Sequence, residues 1–388
     1  MRKVAVIGIG MTPFGELWDR SLRTLGIEAG LNAMVDAGIT SEEVDALYVG
    51  NMSSGRFTNQ EHISAVIADH TGLSARNLPA IRVEAGEASG AVAFRDAYLS
   101  VASEVYDIVV VGGAEKMTDV SDAMAHEIFA TSVDQQWEVF LGATVPSLYA
   151  MMARRHMHEY GTTKEQLASV AVSAHKNGSK NPNAQFKNQI SIEAVTNAGI
   201  VSSPLGMLDC APISDGAAAL VLAPLDIAKR MIDHPVVIAG SGVATDTISL
   251  HHRESLTTMR STSVAADLAY RRAGIAPDHV DIAEVHDNFT ISGIMAVEDL
   301  GFVEKGQGGP AFEEGRFDIE GDLPVNTSGG LKAQGQPLGA IGIAQVVEVT
   351  RQLRGDAGER QVDGPQIGLT QCVGGTGGTS VVHVMKVI

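Results

Sequence analysis

Apolar and polar positions along this chain follow two alternating rhythms. Short runs rich in valine, isoleucine and alanine, bounded by glycine, proline or acidic residues, predict strands near 3–8, 44–49, 78–83, 107–112, 217–223, 235–240, 279–285, 366–370 and 379–386. Longer stretches of helical pattern predict helices near 21–37, 59–72, 88–103, 163–178, 263–273, 290–300 and 338–354. Regular alternation of the two predicts α/β layers built on largely parallel sheets.

The rhythm is duplicated. Residues 37–51, AGITSEEVDALYVGN, align without a gap on residues 273–287, AGIAPDHVDIAEVHD. Val4-Ala5-Val6-Ile7-Gly8-Ile9-Gly10 resembles Val236-Val237-Ile238-Ala239-Gly240-Ser241-Gly242 at nearly the same offset. In each copy a helical pattern stops at Ala-Gly-Ile, a polar turn follows, and a strand begins. Two copies predict two similar halves packed together, 1–230 and 231–388. The stretch from about 115 to 205 fits neither copy. It holds Trp137, Tyr149 and Tyr160, and reads as an insertion in the first half that lies over the active-site face.

Composition narrows the function classes. The chain has 388 residues, 45% of them hydrophobic, enough for a large core. Only 19% are charged, which predicts that subunits cover part of the surface. A net charge of −18 argues against a nucleic-acid partner and against an anionic membrane surface. It leaves a phosphorylated ligand open, because helix N-termini and local basic groups bind phosphate on acidic proteins. The two cysteines, Cys210 and Cys372, are too few for a disulfide framework or a cysteine zinc site. No apolar run approaches a membrane span, and the apolar start is too short for a signal peptide, so a cytoplasmic protein is expected. Gly8-Ile9-Gly10 only weakly echoes a dinucleotide fingerprint, since the third glycine is mis-spaced and Pro13 interrupts the helix start. His156 and His158 would point to different sides of a helix, and His251-His252 has no acidic pattern beside it. No metal site is expected.

The most informative segment is Val83-Glu84-Ala85-Gly86-Glu87-Ala88-Ser89-Gly90, which joins a predicted strand to a predicted helix. Strand–turn–helix corners of this kind hold nucleophiles in α/β enzymes. Further motifs follow in order: GGAEKMTD (112–119), DGAAALVL (215–222), EVHDNF (284–289), NTSGGLKAQGQPLGAIG (326–342) and QCVGGTGG (371–378). As a set, and over essentially the whole chain, they resemble the thiolase superfamily, most closely archaeal acetoacetyl-CoA thiolases and sterol-carrier-protein-type thiolases. The resemblance implies two duplicated α/β halves in a layered αβαβα fold. It also implies a coenzyme A thioester as substrate, no covalently bound cofactor, and a homodimer or tetramer.

Four positions depart from the family in ways that bear on chemistry. The family's turn reads Val-Glu-Ala-Ala-Cys-Ala-Ser-Gly, and its cysteine takes the acyl group; here Glu87 stands at that place. Glu87 reads either as a base, its pKa raised by burial and lowered by the helix end, or as a cap on the following helix. The family's Gly-His-Pro is Gly335-Gln336-Pro337, and glutamine keeps a hydrogen-bond donor but cannot take a proton. His286 remains in His286-Asp287-Asn288-Phe289, where relatives have His-Asp-Cys-Phe; it reads as an orienter of an oxyanion-hole water or as a core histidine. Cys372, in Gln371-Cys372-Val373-Gly374-Gly375, matches the proton-transferring cysteine of more distant thiolases, and reads otherwise as a small buried thiol. Cys210 reads as structural.

Without the thiol and its histidine base, three functions are expected from the resemblance. One is aldol or retro-aldol chemistry on acyl-CoA with no cysteine acyl-enzyme, with Glu87 or Cys372 moving the proton. Another is a catalytically silent subunit of a CoA-handling complex, whose partners would be an OB-fold protein with a zinc ribbon and a hydroxymethylglutaryl-CoA synthase. The last is an acetoacetyl-CoA thiolase working without its usual residues.

Overall fold

The computed structural model describes all 388 residues. Nine strands hydrogen-bond into one sheet: β1 (Val4–Met11), β2 (Ala46–Gly50), β3 (Ala80–Val83), β4 (Val109–Glu115), β5 (Gly216–Pro224), β6 (Val236–Thr245), β7 (Ile282–Glu284), β8 (Ile367–Gly374) and β9 (Thr379–Val387). Each lies where an apolar run predicts it. Their order is β3-β2-β4-β5-β1-β6-β9-β8-β7. The sheet is mixed rather than largely parallel. β2 runs parallel to β3 and β4, and β7 to β8, while the pairs β1–β5, β1–β6, β4–β5, β6–β9 and β8–β9 are antiparallel. The reason is in the connections. A helix crosses over between β2 and β3 and between β3 and β4, which permits parallel neighbours, whereas only Gly375–Gly378 separates β8 from β9, which forces a hairpin.

The longer helices are α1 (Leu22–Ala37), α2 (Ile63–His70), α3 (Ser89–Ala102), α4 (Asp122–Phe129), α5 (Val145–Tyr160), α6 (Lys164–Gly178), α7 (Arg260–Ala273), α8 (Thr290–Asp299) and α9 (Ile341–Arg354). α1 packs on one outer face, burying Leu25, Ala29 and Ala33 with Ile7 and Val221. α7 packs on the other, burying Ala265 and Ala269 with Val382 and Val384. Between them α3 and α9 share a core of Ala93, Phe94, Ala97, Ile343, Val346 and Val347 with Val6, Leu220, Ile238 and Met385. This gives the helix–sheet–helix–sheet–helix layering. No helix is long and apolar enough to cross a membrane.

The repeated sequence folds alike twice. α1 ends at Gly38 (φ +67°) and α7 at Gly274 (φ +66°), both left-handed caps that favour glycine. A single 3-10 turn follows each, Ser41–Glu43 and Pro277–His279, before β2 and β7. The paired glycines of β1 and β6 serve helix packing: a Cβ on Gly10 would overlap the Ala29 carbonyl, and one on Gly242 the Ala265 carbonyl. α1 and α7 therefore lie nearly against the strand backbone, which accounts for Gly8-Ile9-Gly10 without a dinucleotide.

The stretch that fits neither copy contains two helices whose bounds the apolar pattern did not give, α4 and α5, the second carrying His156 and His158. α5 leaves the first half and packs Leu148, Tyr149, Met152 and Ala153 into a core with Phe289, Ile291 and Ile294. It thereby carries Tyr149 to the loop before α8.

Gly242→Ala is expected to destabilise the fold by about 1–3 kcal/mol, because the contact is with backbone that cannot swing away. Thermal unfolding checks this; an unchanged Tm would contradict the packing described.

Candidate active site

The turn between β3 and α3 is built to project Glu87 inward. Gly86 sits in the left-handed region (φ +60°), and a Cβ there would stand 3.3 Å from the α-carbon of Gly374. Ser89 accepts the Ala85 amide at 2.9 Å and steadies the turn. Glu87 is fully buried. Its Oε2 accepts the Gly375 amide at 2.6 Å, whereas Oε1 has no partner. The helix-cap alternative is therefore set aside: Ala88 occupies the cap position of α3 with no side-chain bond, and the carboxyl reaches across to the β8–β9 turn instead. Burial pushes the Glu87 pKa up to about 8, and the Gly375 hydrogen bond opposes it.

His286, Asn288 and Cys372 gather around the same turn. The backbone amide of His286 donates to Gln371 Oε1 at 2.9 Å, and its Nδ1 accepts the Val373 amide at 3.3 Å. With Nδ1 accepting, the proton of the neutral ring belongs on Nε2, which has no partner. Burial holds the His286 pKa down near about 3, so the imidazole stays neutral. The Cys372 thiol lies 3.8 Å from His286 Nδ1 and 3.5 Å from the Glu87 carbonyl. Burial, and the nearby Glu87, push its pKa up, which keeps it a thiol. Asn288 accepts from the Ser292 hydroxyl at 2.8 Å, while its Nδ2 is unpaired.

Gln336 stands on a different wall. Its backbone amide donates to Ser214 Oγ at 2.8 Å, and its buried Nε2 has no partner. It lines a cleft of ≈ 530 Å³ with Phe129, Phe289, Leu338 and Lys332 among others, a volume suited to a small ligand. Glu87, His286 and Cys372 are not among the residues that line this cleft. Two features connect the groups. Phe289, on the cleft wall, directly follows Asn288. The loop after Gln336 abuts α3, since a Cβ on Gly90 would stand 2.6 Å from the Gly339 carbonyl oxygen. The structure thus brings Cys372 against both Glu87 and His286 and sets Gln336 on the wall of a neighbouring cleft.

Tyr149 was not among the predicted residues. Its ring stacks on Phe289 with centroids 4.5 Å apart, and its hydroxyl donates to the Gly375 carbonyl at 2.9 Å. Only its place in the long excursion from the repeat marks it in the sequence. Cys210 packs beside Phe289, and burial pushes its thiol up to about 12, in keeping with a structural role.

Chemically, the arrangement offers three unpaired buried donors, His286 Nε2, Asn288 Nδ2 and Gln336 Nε2, and two unpaired carboxyl oxygens, Glu87 Oε1 and Asp287 Oδ2. Buried polar atoms left unpaired each cost about 1–3 kcal/mol, so a cluster of them marks a place where a ligand or water supplies the partners.

This layered fold and glycine-rich corner define the thiolase class. The sequence model described as "Thiolase, N-terminal domain" matches residues 4–226, and that described as "Thiolase C-terminal domain-like" matches residues 242–387. The chain is 56% identical to an acetyl-CoA acetyltransferase of Methanothermobacter thermautotrophicus, covering 100% of both. It is 35% identical to the benzoylsuccinyl-CoA thiolase subunit BbsB of Thauera aromatica, over 96% of this chain and 95% of that one. Among solved structures it resembles an Ltp2-ChsH2(DUF35) aldolase with a TM-score of 0.85 and 27% identity, over 98% of this chain and 97% of that one. The chain belongs to the thiolase family.

Glu87 also makes a stability prediction. Below the ordinary carboxyl value of 4.5 both folded and unfolded chains hold its proton; between there and about 8 only the folded chain does, so ionisation costs stability progressively as pH rises. Each pKa unit corresponds to about 1.4 kcal/mol. Glu87→Gln is expected to raise Tm little near pH 4 and increasingly toward pH 8. A pH-independent difference between variant and parent would refute the buried carboxyl.

Proposed function

We propose that this protein acts on acyl-CoA thioesters by carbon–carbon bond chemistry of the aldol or retro-aldol type, without a cysteine acyl-enzyme. One observation carries the reading: a carboxyl, Glu87, occupies the seat of the family's acyl-accepting thiol, with an unpaired oxygen among unpaired donors. A carboxylate attacking a thioester would yield an anhydride, a poor resting intermediate, but as a base it suits a β-hydroxyacyl-CoA. In the cleavage direction Glu87 takes the β-hydroxyl proton. The bond between the α- and β-carbons breaks, its electron pair passes to the thioester oxygen as an enolate, and a carbonyl compound departs. The His286 and Gln336 N–H groups, directly or through a water, meet the enolate oxygen. The Cys372 thiol protonates the α-carbon and recovers its proton from Glu87. Resemblance to the Ltp2-ChsH2(DUF35) aldolase supports this direction.

The active assembly in this reading is a cytoplasmic homodimer or tetramer of two-domain subunits, 1–230 and 231–388, with the segment near 115–205 over the site. An OB-fold/zinc-ribbon acyl-CoA-binding protein and a synthase-like subunit are its proposed partners. A second reading, acetyl-CoA acetyltransferase, is favoured by the 56% identity to the Methanothermobacter protein. It requires a nucleophilic thiolate where Glu87 stands, and no cysteine occupies that position.

Parallel assays separate the readings. With a β-hydroxyacyl-CoA, release of an aldehyde or ketone is expected, rising with pH through about 8 as Glu87 ionises. Glu87→Gln should lower kcat by about a hundredfold or more and remove that pH limb. Acetyl-CoA release from acetoacetyl-CoA plus CoA, with a labelled enzyme thioester, would establish the acyltransferase instead. Inactivity in both assays with CoA binding retained would mark a silent subunit. Glu87→Cys alone should restore little thiolysis, because no base activates the thiol, whereas Glu87→Cys with Gln336→His should restore a measurable rate.

A further inference from the structure

The cleft beside Gln336 holds a buried cation that makes no direct ion pair. Lys332 lies in the short helix Gly330–Ala333, entered through Gly329 (φ +99°) and Gly330 (φ +59°). Side chains at either glycine would strike the opposing wall: a Cβ on Gly329 would stand 2.7 Å from the Gly178 α-carbon, and one on Gly330 2.6 Å from Asn326 Nδ2. This double turn drives Lys332 inward until it is 1% exposed. Its Nζ lies 3.5 Å from His175 Nε2 and 5.7 Å above the Phe186 ring. His175 Nδ1 pairs with the Asn188 carbonyl at 3.0 Å, so Nε2 is the accepting nitrogen and the ring is neutral. Burial, with Lys332 beside it, holds the His175 pKa down near about 4.

Two acidic groups, Asp287 and Asp209, favour the charged ammonium from nearby, but neither comes within ion-pair distance of it, and Asp287 Oδ2 has no hydrogen-bond partner. Asp287 Oδ1 accepts the Leu331 amide at 2.6 Å, and Asp209 accepts the Gly206 amide and the Thr290 hydroxyl, both at 2.8 Å. Burial lowers the Lys332 pKa to about 8, so most of the groups still carry charge at neutral pH. A buried charge without an ion pair is costly unless something else supplies its opposite.

We propose that Lys332 is a specificity-determining residue, and that the acyl groups this cleft accepts carry a carboxylate whose charge pairs with it. This rests on the reading of the protein as acting on acyl-CoA, and names the substrate class for that site. The walls suit such a chain: Phe129, Pro146, Phe289 and Leu338 cover methylenes, and Gln336 shares the cleft with Lys332.

The test uses two unreactive CoA thioethers of equal chain length, one ending in a carboxylate and one in a methyl group, with free CoA as reference, all by calorimetry on the full chain. The parent is expected to bind the carboxylate ligand about tenfold or more tighter than the methyl ligand. Lys332→Met should erase that preference with free CoA affinity unchanged, and Lys332→Arg should keep most of it. Equal binding of the two thioethers by the parent would overturn the proposal, and so would a Lys332→Met variant that weakens both alike or weakens free CoA. If Lys332→Met does not fold, the parent's preference and its retention in Lys332→Arg decide. Neither thioether can react, so these results are independent of which bond chemistry the protein performs. Failure of the parent to bind CoA at all would instead sink the acyl-CoA reading, and this proposal with it.

Discussion

The Glu87–Gly375 hydrogen bond joins two turns from opposite ends of the chain, and the arrangement of the site follows from it. Glycine at 86 and at 374 lets the turns meet backbone to backbone. Once they meet, the Gly375 amide has the Glu87 carboxyl as its acceptor, and the Gly375 carbonyl faces the Tyr149 hydroxyl. The same approach sets Cys372 under the Glu87 carbonyl and Val373 against His286. Side chains that lie 285 and 86 residues apart in the chain thus share one small volume.

Burial decides the charge state of that volume. The three ionisable groups at its centre are each moved toward neutrality: Glu87 upward, Cys372 upward, His286 downward, with desolvation the largest cause each time. A thiolase that forms a thiolate must work against this tendency with a cationic partner. Here no lysine, arginine or protonated histidine touches the sulfur. The environment is therefore better matched to a carboxyl that cycles between acid and base than to a resident sulfur anion.

Much of this was legible in the linear pattern. All nine sheet strands lie where β-branched runs stand between turn residues, and Gly38 and Gly274 announced the two equivalent helix ends. Strand direction was not legible, because it depends on whether a helix or a tight turn links neighbours, and the β8–β9 hairpin hides in a glycine-rich motif that also reads as a ligand loop. Only the part of α5 around His156 and His158 was legible; its start carries Pro146, which is well accommodated in a first helical turn. At the site, motif position located Glu87, His286 and Cys372. It could not reveal Tyr149 or Lys332, whose surroundings arise only when distant segments close over them, nor that Gln336 would line the cleft while the other three would not.

The backbone amide resting on His286 Nδ1 has one more implication. An imidazole takes up a proton only through a nitrogen whose lone pair is free. With one nitrogen committed to the main chain, this ring is a fixed dipole whose N–H end points where no protein atom answers it. Such a group polarises without changing charge at any pH above about 3, and the burden of proton traffic falls on the carboxyl and the thiol alone.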